Sequence, residues 1–404
     1  MTSDVEIPYG CYWSTPFAKW QGALQHLHSI ELAARVCQKE LQRLSVDARL
    51  IDHAVLGTTV IQHHGFYGLP WLTGLAGLTH VTGPTLSQAC ATGARVLLAG
   101  MQEIASGLAQ VSLAVAADRC SNSAHVYYPD RKGPGGTGTH EDWLLEAFAC
   151  DPLGKHSMLQ TAENVARKHS ITTKEQHEVV LRRLEQYREA TSNNHAFQRR
   201  FMSLPFEVPS SDFKKIQSTL EGDEGIYEST AEGFARLKPV LPGGTVTFAG
   251  QTHPADGNAA VILTSSSRAA EISRDPSIRI ELLGFGQARA DLGYMPEAAL
   301  PAARAALLRA GITPNQLCAI KTHNPFAVND LVLARGLGIG WESMNNYGCS
   351  LIWGHPNGPT GLRSVIELIE ELTIRGGGYG LFTGCAAGDS AMALVLKVDT
   401  RNRA

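Results

Sequence analysis

An internal duplication constrains the fold of this chain more than any other feature of its sequence. A shift of 268 residues places TGAR at residues 92–95 onto TGLR at residues 360–363. The same shift places VSLAVAA (111–117) onto YGLFTGC (379–385). A period this long is typical of two packed half-domains, because solenoid repeats have periods of about 20–50 residues. The chain is therefore predicted to contain two related halves.

Each match belongs to a helix-like segment that is followed by a strand-like segment. Apolar residues recur at helical spacing in the first member of each pair, and the second member is a short apolar run typical of a buried strand. Alternation of this kind predicts an α/β fold. The four pairs are 29–44 with 52–60, 91–107 with 111–117, 297–311 with 318–324, and 360–377 with 379–385.

Residues 120–245 match neither copy of the repeat. This stretch contains a loop rich in Gly and Pro and several polar helical segments. A chain of 404 residues is long enough for more than one hydrophobic core. We therefore predict an N-terminal half made of residues 1–119 and 246–265, an inserted loop domain of residues 120–245, and a C-terminal half of residues 266–404.

The charge balance excludes several classes of partner. The 35 basic and 38 acidic residues give a net charge of −3, which provides no general attraction to nucleic acid or to an anionic membrane. The first ten residues do not resemble a signal peptide, and no apolar run approaches the ~18 residues of a membrane span. We expect a soluble, cytoplasmic protein without a nucleic-acid or membrane partner. Eight cysteines without a CxxC pair argue against disulfides and against a metal site.

Three reactive side chains fall where a strand ends or a helix begins. Cys90 directly precedes the first repeated helix, His355 precedes its equivalent in the second copy, and Cys385 ends the strand that follows. Ligands of open α/β sheets bind at such strand ends, so we expect the two halves to bring these residues together. The N-terminus of a helix favours a thiolate, and we therefore expect the pKa of Cys90 to be lowered toward neutral pH. Cys90 is the predicted nucleophile and His355 the predicted base.

Five stretches of the chain resemble, in order and spacing, the signature blocks of thiolases. The resemblance implies the thiolase fold, with two duplicated half-domains that each contain a mixed sheet covered by helices, plus an inserted loop domain. It implies an acyl-CoA and free coenzyme A as substrates, no permanently bound cofactor, and a homodimer or tetramer. An accessory small subunit is a further candidate partner. The blocks are SQACATGARVLLAGMQEIASG (87–107), TAENVA (161–166), GTVTFAGQTHPADGNAAV (244–261), NYGCSLIWGHPNGPTGLR (346–363) and GYGLFTGCAAGD (378–389).

The resemblance also assigns roles to single residues. Cys90 matches the acylated nucleophile, His355 the base that activates it, and Cys385 the cysteine that acts as acid and base. The N–H groups of Cys90 and Ala387 match one oxyanion hole. His355 and a water held by His323 match the other. Thr252, Met158 and Phe326 match residues that contact the substrate and coenzyme A in the family.

Two motifs depart from the usual thiolase pattern. Residues 323–326 read HNPF where many thiolases read NEAF, and the block at the second cysteine reads CAAGD where CxGGG is usual. His323 in place of the usual Asn is similar to the sterol-carrier type of thiolase, which reads HDCF. Ala387 still offers an N–H group at its position. The chemistry that the resemblance implies is therefore expected to survive both changes.

Two other classes of protein are compatible with these residues. A ketoacyl synthase shares the duplicated fold and uses one cysteine with two histidines, a set that Cys90, His323 and His355 could supply. Cys385 argues against this class. A non-catalytic acyl-CoA-binding relative would be favoured by loss of the nucleophile or the base, and both are present.

The substrate prediction depends on an aromatic segment, QHHGFYGLPWLTGLAG at residues 62–77. Trp71, Phe66 and Tyr67 favour a bulky or aromatic acyl group, with packing in the core or in a dimer interface as the alternative. Thiolytic cleavage of a 3-oxoacyl-CoA and its reverse, a Claisen condensation, are equally compatible with the sequence.

Overall fold

The computed structural model describes residues 4–400 of the chain. Residues 1–3 and 401–404, which the prediction assigned to the two halves, lie outside the described residues. No helix in the described range is both long and apolar enough to cross a membrane. The strands are β1 (Val5–Glu6), β2 (Tyr12–Ser14), β3 (Ala18–Lys19), β4 (His53–Gly57), β5 (Thr85–Leu86), β6 (Val111–Arg119), β7 (His125–Tyr128), β8 (Thr139–Asp142), β9 (Phe206–Pro209), β10 (Ile216–Leu220), β11 (Ala255–Ser265), β12 (Ile278–Arg289), β13 (Leu317–His323), β14 (Gly377–Ala386) and β15 (Ser390–Thr400). The α-helices are α1 (Ser29–Arg43), α2 (Gly68–Leu75), α3 (Thr92–Ala105), α4 (Leu145–Ala149), α5 (Met158–Lys168), α6 (Thr173–His195), α7 (Ala231–Ala235), α8 (Ser266–Ile272), α9 (Ala299–Ala310), α10 (Ala327–Leu337), α11 (Ser350–Trp353) and α12 (Gly358–Ile374).

One mixed sheet of eleven described strands runs through both halves of the molecule. In the first half β4 lies parallel to β6, and β6 pairs antiparallel with β11. The second half repeats this arrangement, since β13 lies parallel to β14 and β14 pairs antiparallel with β15. Strand β1 joins the halves by pairing with both β11 and β12. The predicted duplicated α/β architecture is therefore confirmed.

Equivalent elements of the two halves follow the sequence repeat. Thr92 begins α3, and its counterpart Thr360 lies in the first turn of α12. The range of β6 shifted by the repeat overlaps β14 over most of its length. Within residues 120–245, strands β7 to β10 form two separate two-stranded sheets. The division of the chain into three units stays a prediction.

Helix α12 lies at the centre of the packing. Every residue from Gly358 to Leu372 is buried, because α3 and the strands β6, β11, β13 and β14 surround the helix. The strands on which it packs are apolar over most of their length. All residues of β6 except Arg119 are buried, for example. The buried strand predicted at residues 111–117 is therefore present as β6. It packs against α12, the helix that follows His355.

A buried ion pair ties the inserted segment to α12. Arg363 donates to the two carboxylate oxygens of Asp223 at 2.5 and 2.8 Å and to Glu367 at 3.0 Å. Its guanidinium lies over the rings of Phe17 and Trp353. Removal of either charge would leave the other unpaired in the interior, which is strongly unfavourable. The pair therefore fixes the segment that contains Asp223 against α12.

The first turns of α3 and α12 touch through two equivalent glycines. A Cβ atom on Gly93 would lie 2.6 Å from the backbone nitrogen of Leu362 and 2.9 Å from Cα of Gly361. This is a contact between two backbones, for which only glycine leaves room. Cys90 and His355 immediately precede these helices in the sequence. The contact therefore sets how closely the two side chains can approach each other.

We expect Gly93→Ala to reduce both stability and acyl transfer. The added methyl group would collide with backbone atoms, so α3 and α12 would have to separate and carry Cys90 away from His355. Overpacking of this kind costs about 1–3 kcal/mol, which urea denaturation measures as a fall in the free energy of unfolding.

Gly74→Ala in α2 is the matched control for this substitution. A Cβ atom at Gly74 meets no other atom within 4 Å, and alanine in place of glycine favours a helix by about 1 kcal/mol. The Gly74 variant should therefore be at least as stable as the unmodified protein. Equal stability and equal activity of the two variants would contradict the predicted contact.

Candidate active site

Cys90, His323 and His355 converge at the carboxyl ends of the parallel strands. The sulfur of Cys90 and one ring nitrogen of each histidine all lie within 4.8 Å of one another. The two imidazole rings stack with their centroids 4.0 Å apart and their planes inclined by 26°. The structure thus brings the predicted nucleophile and base together. His323 joins them because β13 ends at this residue.

Cys90 follows a strained turn that leads into α3. The preceding residue, Ala89, has a φ of 45°, a conformation that residues other than glycine rarely adopt. The carbonyl of Ala89 accepts hydrogen bonds from the backbone N–H of Thr92 at 3.0 Å and from its hydroxyl at 2.7 Å. Strain that the surrounding structure holds in place is common at functional sites. Here it places the thiol at the start of the helix.

The pKa of Cys90 differs from the prediction. Burial raises it to about 11, although the N–H groups of Ala387 and of Cys90 itself act in the opposite direction. The predicted lowering of the pKa is therefore wrong for the resting protein, because desolvation of a thiolate outweighs the effect of the helix N-terminus. A neutral thiol in this position needs a neighbouring base to become a nucleophile.

His355 is held in place by its backbone and by Thr360. Its N–H donates to the carbonyl of His253 at 2.8 Å, and its own carbonyl accepts from the N–H of Ala255 at 3.2 Å. Its Nδ1 lies 2.6 Å from the hydroxyl oxygen of Thr360. Nε2 has no hydrogen-bond partner among residues 4–400. Burial and the adjacent His323 lower the pKa of His355 well below its usual value, so the ring is neutral at physiological pH.

His323 ends β13 and pairs with Gly384 of β14. Its Nδ1 lies 3.0 Å from the hydroxyl oxygen of Ser350. Its Nε2, like that of His355, lacks a hydrogen-bond partner in the described part of the chain. Burial lowers the pKa of His323 to about 3. Two neutral imidazoles with unpaired Nε2 atoms therefore lie beside the thiol of Cys90.

Cys385 lies at the end of β14, where burial raises its pKa and the nearby Cys90 raises it further. Asn329 donates its side-chain N–H to the sulfur at 3.2 Å. The amide oxygen of Asn329 accepts from the N–H of Phe326, which fixes the orientation of the amide. Asn329 was not predicted from the sequence. The available signal was its place three residues after Phe326, at the third position of α10, where an amide can accept from the N–H of the N-cap residue.

Asp118 links the segment that follows His355 to the first half of the molecule through hydrogen bonds. Its carboxylate accepts from the N–H of Gly358 at 3.0 Å, from the N–H and hydroxyl of Thr59, and from the hydroxyl of Thr58. Burial raises the pKa of Asp118 to about 6, against the effect of these donors. This residue was not predicted from the sequence, because one acidic residue at a strand end gives no indication of its partners.

An open pocket of about 780 Å³ lies against Cys90. Cys90, His355 and Ala387 line it, whereas Cys385 and His323 are buried and do not belong to its lining. The pocket is mostly apolar, which suits an acyl chain and the uncharged part of a thioester. The residues that the resemblance placed in the substrate site, Thr252, Met158 and Phe326, lie in its wall together with Trp20, Trp143, Phe148, Tyr227 and Phe248.

The aromatic residues on which the substrate prediction depended lie elsewhere. Phe66, Tyr67 and Trp71 do not line the pocket. Phe66 is 98% exposed and Tyr67 is 66% exposed, while Trp71 packs against His28 and His64. These three residues therefore do not support a bulky acyl group, because their rings do not line the pocket, and the nature of the acyl group stays a prediction.

The spacing of Cys90, His323 and His355 would also suit a bound cation. No other set of three His, Cys, Asp or Glu side chains in the described range lies so close together. Cysteine and histidine are themselves zinc ligands, and of the three residues only Cys90 and His355 line the apolar pocket. A nucleophile with two partners for proton transfer explains these features without a metal ion. That the protein has no metal site stays a prediction.

Known proteins with similar sequence and fold cover nearly the whole chain. The family model of the thiolase N-terminal domain matches residues 13–267, and that of the thiolase C-terminal domain matches residues 277–398. The acetyl-CoA acetyltransferase of Allochromatium vinosum is 29% identical over 382 residues, which cover 94% of this chain and 95% of the relative. The 3-ketoacyl-CoA thiolase of Aeromonas salmonicida is 30% identical over 433 aligned positions and 95% of both chains. The crystal structure of the Bacillus anthracis acetyl-CoA acetyltransferase has a TM-score of 0.89 at 27% identity and covers 98% of this chain and 99% of its own.

These matches confirm the predicted thiolase fold and the predicted class of reaction. Thiolytic cleavage of a 3-oxoacyl-CoA and the reverse Claisen condensation are the general reactions of such enzymes, and coenzyme A is one of their substrates. The model of the N-terminal domain includes residues 120–245 without a boundary. It therefore does not test whether these residues form a separate unit. The chain belongs to the thiolase family and is an acyltransferase of the thiolase type.

Proposed function

We propose that the protein transfers an acyl group between coenzyme A thioesters through an acyl thioester on Cys90. The observation that carries this proposal is the convergence of the Cys90 sulfur with two neutral imidazoles within 4.8 Å. A second thiol, that of Cys385, is buried close enough to Cys90 for Cys90 to raise its pKa. A nucleophile, a proton acceptor for it and a separate acid are the groups that covalent catalysis of this reaction requires.

In the first half-reaction Cys90 attacks the 3-keto carbon of a 3-oxoacyl-CoA. The thiol proton passes to one of the two imidazoles, the sulfur bonds to the carbonyl carbon, and the carbonyl oxygen becomes an oxyanion beside His355. When the bond between C2 and C3 breaks, its electron pair leaves with the enolate of acetyl-CoA. The thiol of Cys385 protonates this enolate. The products are acetyl-CoA, acylated Cys90, the thiolate of Cys385 and the imidazolium that holds the proton of Cys90.

In the second half-reaction the thiolate of Cys385 takes the proton of the coenzyme A thiol. The sulfur of coenzyme A then attacks the acyl group on Cys90. The same carbonyl oxygen becomes an oxyanion again, and the N–H groups of Ala387 and Cys90, which hydrogen-bond toward the sulfur of Cys90, are further donors for it. Release of Cys90 returns the stored proton to its sulfur. The same steps in reverse carry out a Claisen condensation.

The pocket wall supports binding of the thioester. The hydroxyl of Thr252 donates to the carbonyl of Ser350 at 2.5 Å, which fixes that side chain at the edge of the pocket. Met158 and Phe326 present apolar surface to the same space. We infer that these three residues contact the coenzyme A arm and the acyl group.

The ketoacyl-synthase alternative would use Cys90, His323 and His355 and leave Cys385 without a task. The side-chain amide of Asn329 is held so that it donates to the Cys385 sulfur at 3.2 Å. Asn324 donates to the sulfur of Cys349 in the same way, at 3.2 Å, so the hydrogen bond alone does not distinguish the two reactions. Cys385 lies close enough to Cys90 for Cys90 to raise its pKa, and this closeness of a second thiol to the nucleophile favours the thiolase reaction.

The predictions about partners and cellular location are based on the sequence alone. A homodimer or tetramer, an accessory small subunit and a cytoplasmic location stay predictions. The same holds for the expectation that the enzyme has no permanently bound cofactor.

A 3-oxoacyl-CoA supplied without free coenzyme A should leave its acyl group on Cys90. Intact mass spectrometry should show the added mass, and peptide mapping should locate it at residue 90. Cys90→Ala should form no adduct and show no turnover. Cys318→Ala removes an exposed thiol and should form the adduct at the normal rate. An adduct on Cys385 or Cys349 would be evidence against the assignment.

Cys385→Ala should separate acylation from carbon–carbon bond chemistry. Acylation of Cys90 by a simple acyl-CoA does not form a carbanion, so it should persist in this variant. Thiolysis of a 3-oxoacyl-CoA should fall by about 10²–10⁴, the usual contribution of a positioned acid or base. Single-turnover labelling and steady-state thiolysis measure the two steps. Near-normal thiolysis would identify Cys385 as a packing residue and favour the ketoacyl-synthase alternative.

A further inference from the structure

A chain of buried hydrogen bonds behind His323 begins at Asp330. This carboxylate pairs with the buried Arg183 at 3.0 Å and accepts from Nδ2 of Asn324 at 2.8 Å. A carboxylate held by an arginine only accepts hydrogen bonds, so the NH₂ group of Asn324 faces Asp330. The N–H of Leu351 donates to Oδ1 of Asn324 at 3.2 Å, which requires the same orientation. The amide of Asn324 is therefore fixed, with Oδ1 directed away from Asp330.

Ser350 transmits this orientation to His323. Its hydroxyl oxygen lies 3.1 Å from Oδ1 of Asn324, 3.1 Å from the N–H of Asn324 and 3.0 Å from Nδ1 of His323. The hydroxyl has one hydrogen, and if it pointed to Nδ1 of His323, Oγ of Ser350 and Oδ1 of Asn324 would face each other at 3.1 Å with lone pairs only. The arrangement that satisfies all three contacts directs the hydrogen to Asn324. Nδ1 of His323 must then be the donor to Ser350. A neutral His323 with its proton on Nδ1 has a lone pair on Nε2.

The environment of His355 favours the opposite tautomer. The hydroxyl of Thr360 makes one hydrogen bond in the described residues, to Nδ1 of His355 at 2.6 Å, and Thr360 is fully buried. If Nδ1 carried the proton, the hydroxyl hydrogen of Thr360 would have no acceptor, at a cost of about 1–3 kcal/mol. The hydroxyl therefore donates to Nδ1. A neutral His355 then has its proton on Nε2.

We propose that the two histidines have complementary roles: His323 accepts the proton of Cys90 through Nε2, and His355 donates from Nε2 to the oxyanion. Ser350 and Thr360 are the positioning residues that select these tautomers. The inference depends on the proposed function, because it assigns the proton acceptor of the same site. The resemblance assigned the base to His355, whereas the hydrogen bonds around the two rings favour His323.

The step balances without another reactant. As the Cys90 sulfur bonds to the carbonyl carbon, the S–H bond breaks and its proton moves to Nε2 of His323. The π electrons of the carbonyl move to its oxygen, which accepts the hydrogen bond from Nε2 of His355. The cation on His323 and the oxyanion form side by side, which reduces the penalty for charge in a buried site. The proton returns to Cys90 when the acyl group leaves.

Two-bond ¹H–¹⁵N NMR correlation of protein labelled with ¹⁵N-histidine measures the tautomers directly. We expect the Nδ1–H form for His323 and the Nε2–H form for His355, with each ring assigned by the loss of its signals in His323→Asn or His355→Asn. If a histidine variant does not fold, Ser350→Ala assigns His323 by shifting its signals. The Nε2–H form of His323 would overturn the proposal.

Ser350→Ala tests whether the tautomer matters for the reaction. This variant removes the acceptor for Nδ1–H of His323, so the ring should become a mixture of tautomers. Single-turnover acylation of Cys90 should slow by about 10-fold or more, with the binding of substrate unchanged. Ser364→Ala is the matched control, because Ser364 is a buried serine of α12 whose hydroxyl has no partner in residues 4–400. Equal acylation rates in the two variants would overturn the proposal.

The two measurements separate this inference from the proposed function. If the unmodified protein forms no adduct on Cys90, the thiol loses no proton to either histidine. The proposed function and the assignment of the two histidines are then both overturned. If the adduct forms normally while His323 carries its proton on Nε2, only the assignment of the two histidines is overturned.

Discussion

The backbone contact between the first turns of α3 and α12 is the constraint on which the site depends. Gly93 and Gly361 let these helices meet without side chains between them, and Cys90 and His355 each precede one of the helices. The carboxylate of Asp118 strengthens the contact by accepting from the first N–H of α12. Main-chain atoms therefore set the distance between the reacting groups. Such atoms have less conformational freedom than side chains, so the distance is well defined before substrate binds.

Burial keeps the reacting groups neutral until substrate arrives. It raises the pKa values of Cys90 and Cys385 and lowers those of His323 and His355. Neutral thiols and imidazoles can crowd together without repulsion, whereas their charged forms would be unfavourable in the same space. Charge therefore develops only as bonds to the substrate form, and each new charge has an opposite charge or a hydrogen-bond donor beside it.

The duplication allowed the α/β fold and the convergence of Cys90 and His355 to be predicted, because equivalent helices of two copies occupy equivalent positions around their common contact. The direction of the Cys90 pKa shift was not predictable, since it depends on how completely the folded protein excludes water from the thiol. The hydrogen-bond partners of the His323 and His355 rings were also not predictable from the sequence. Ser350 lies 27 residues from His323 in the sequence, and only the fold brings them together. The aromatic segment was misleading because composition does not reveal which surface a ring faces.

The equivalent threonines at the two helix starts now bind different groups. The hydroxyl of Thr92 holds the carbonyl of Ala89, whereas that of Thr360 holds the imidazole of His355. The repeat aligns Cys90 with Gly358 and His355 with Ser87, so each half supplies only one of the two reacting groups. The helix pair that positions these groups is therefore nearly symmetric, whereas the reacting pair itself is not. A change in the residues of one half can alter the nucleophile without altering the imidazole beside it.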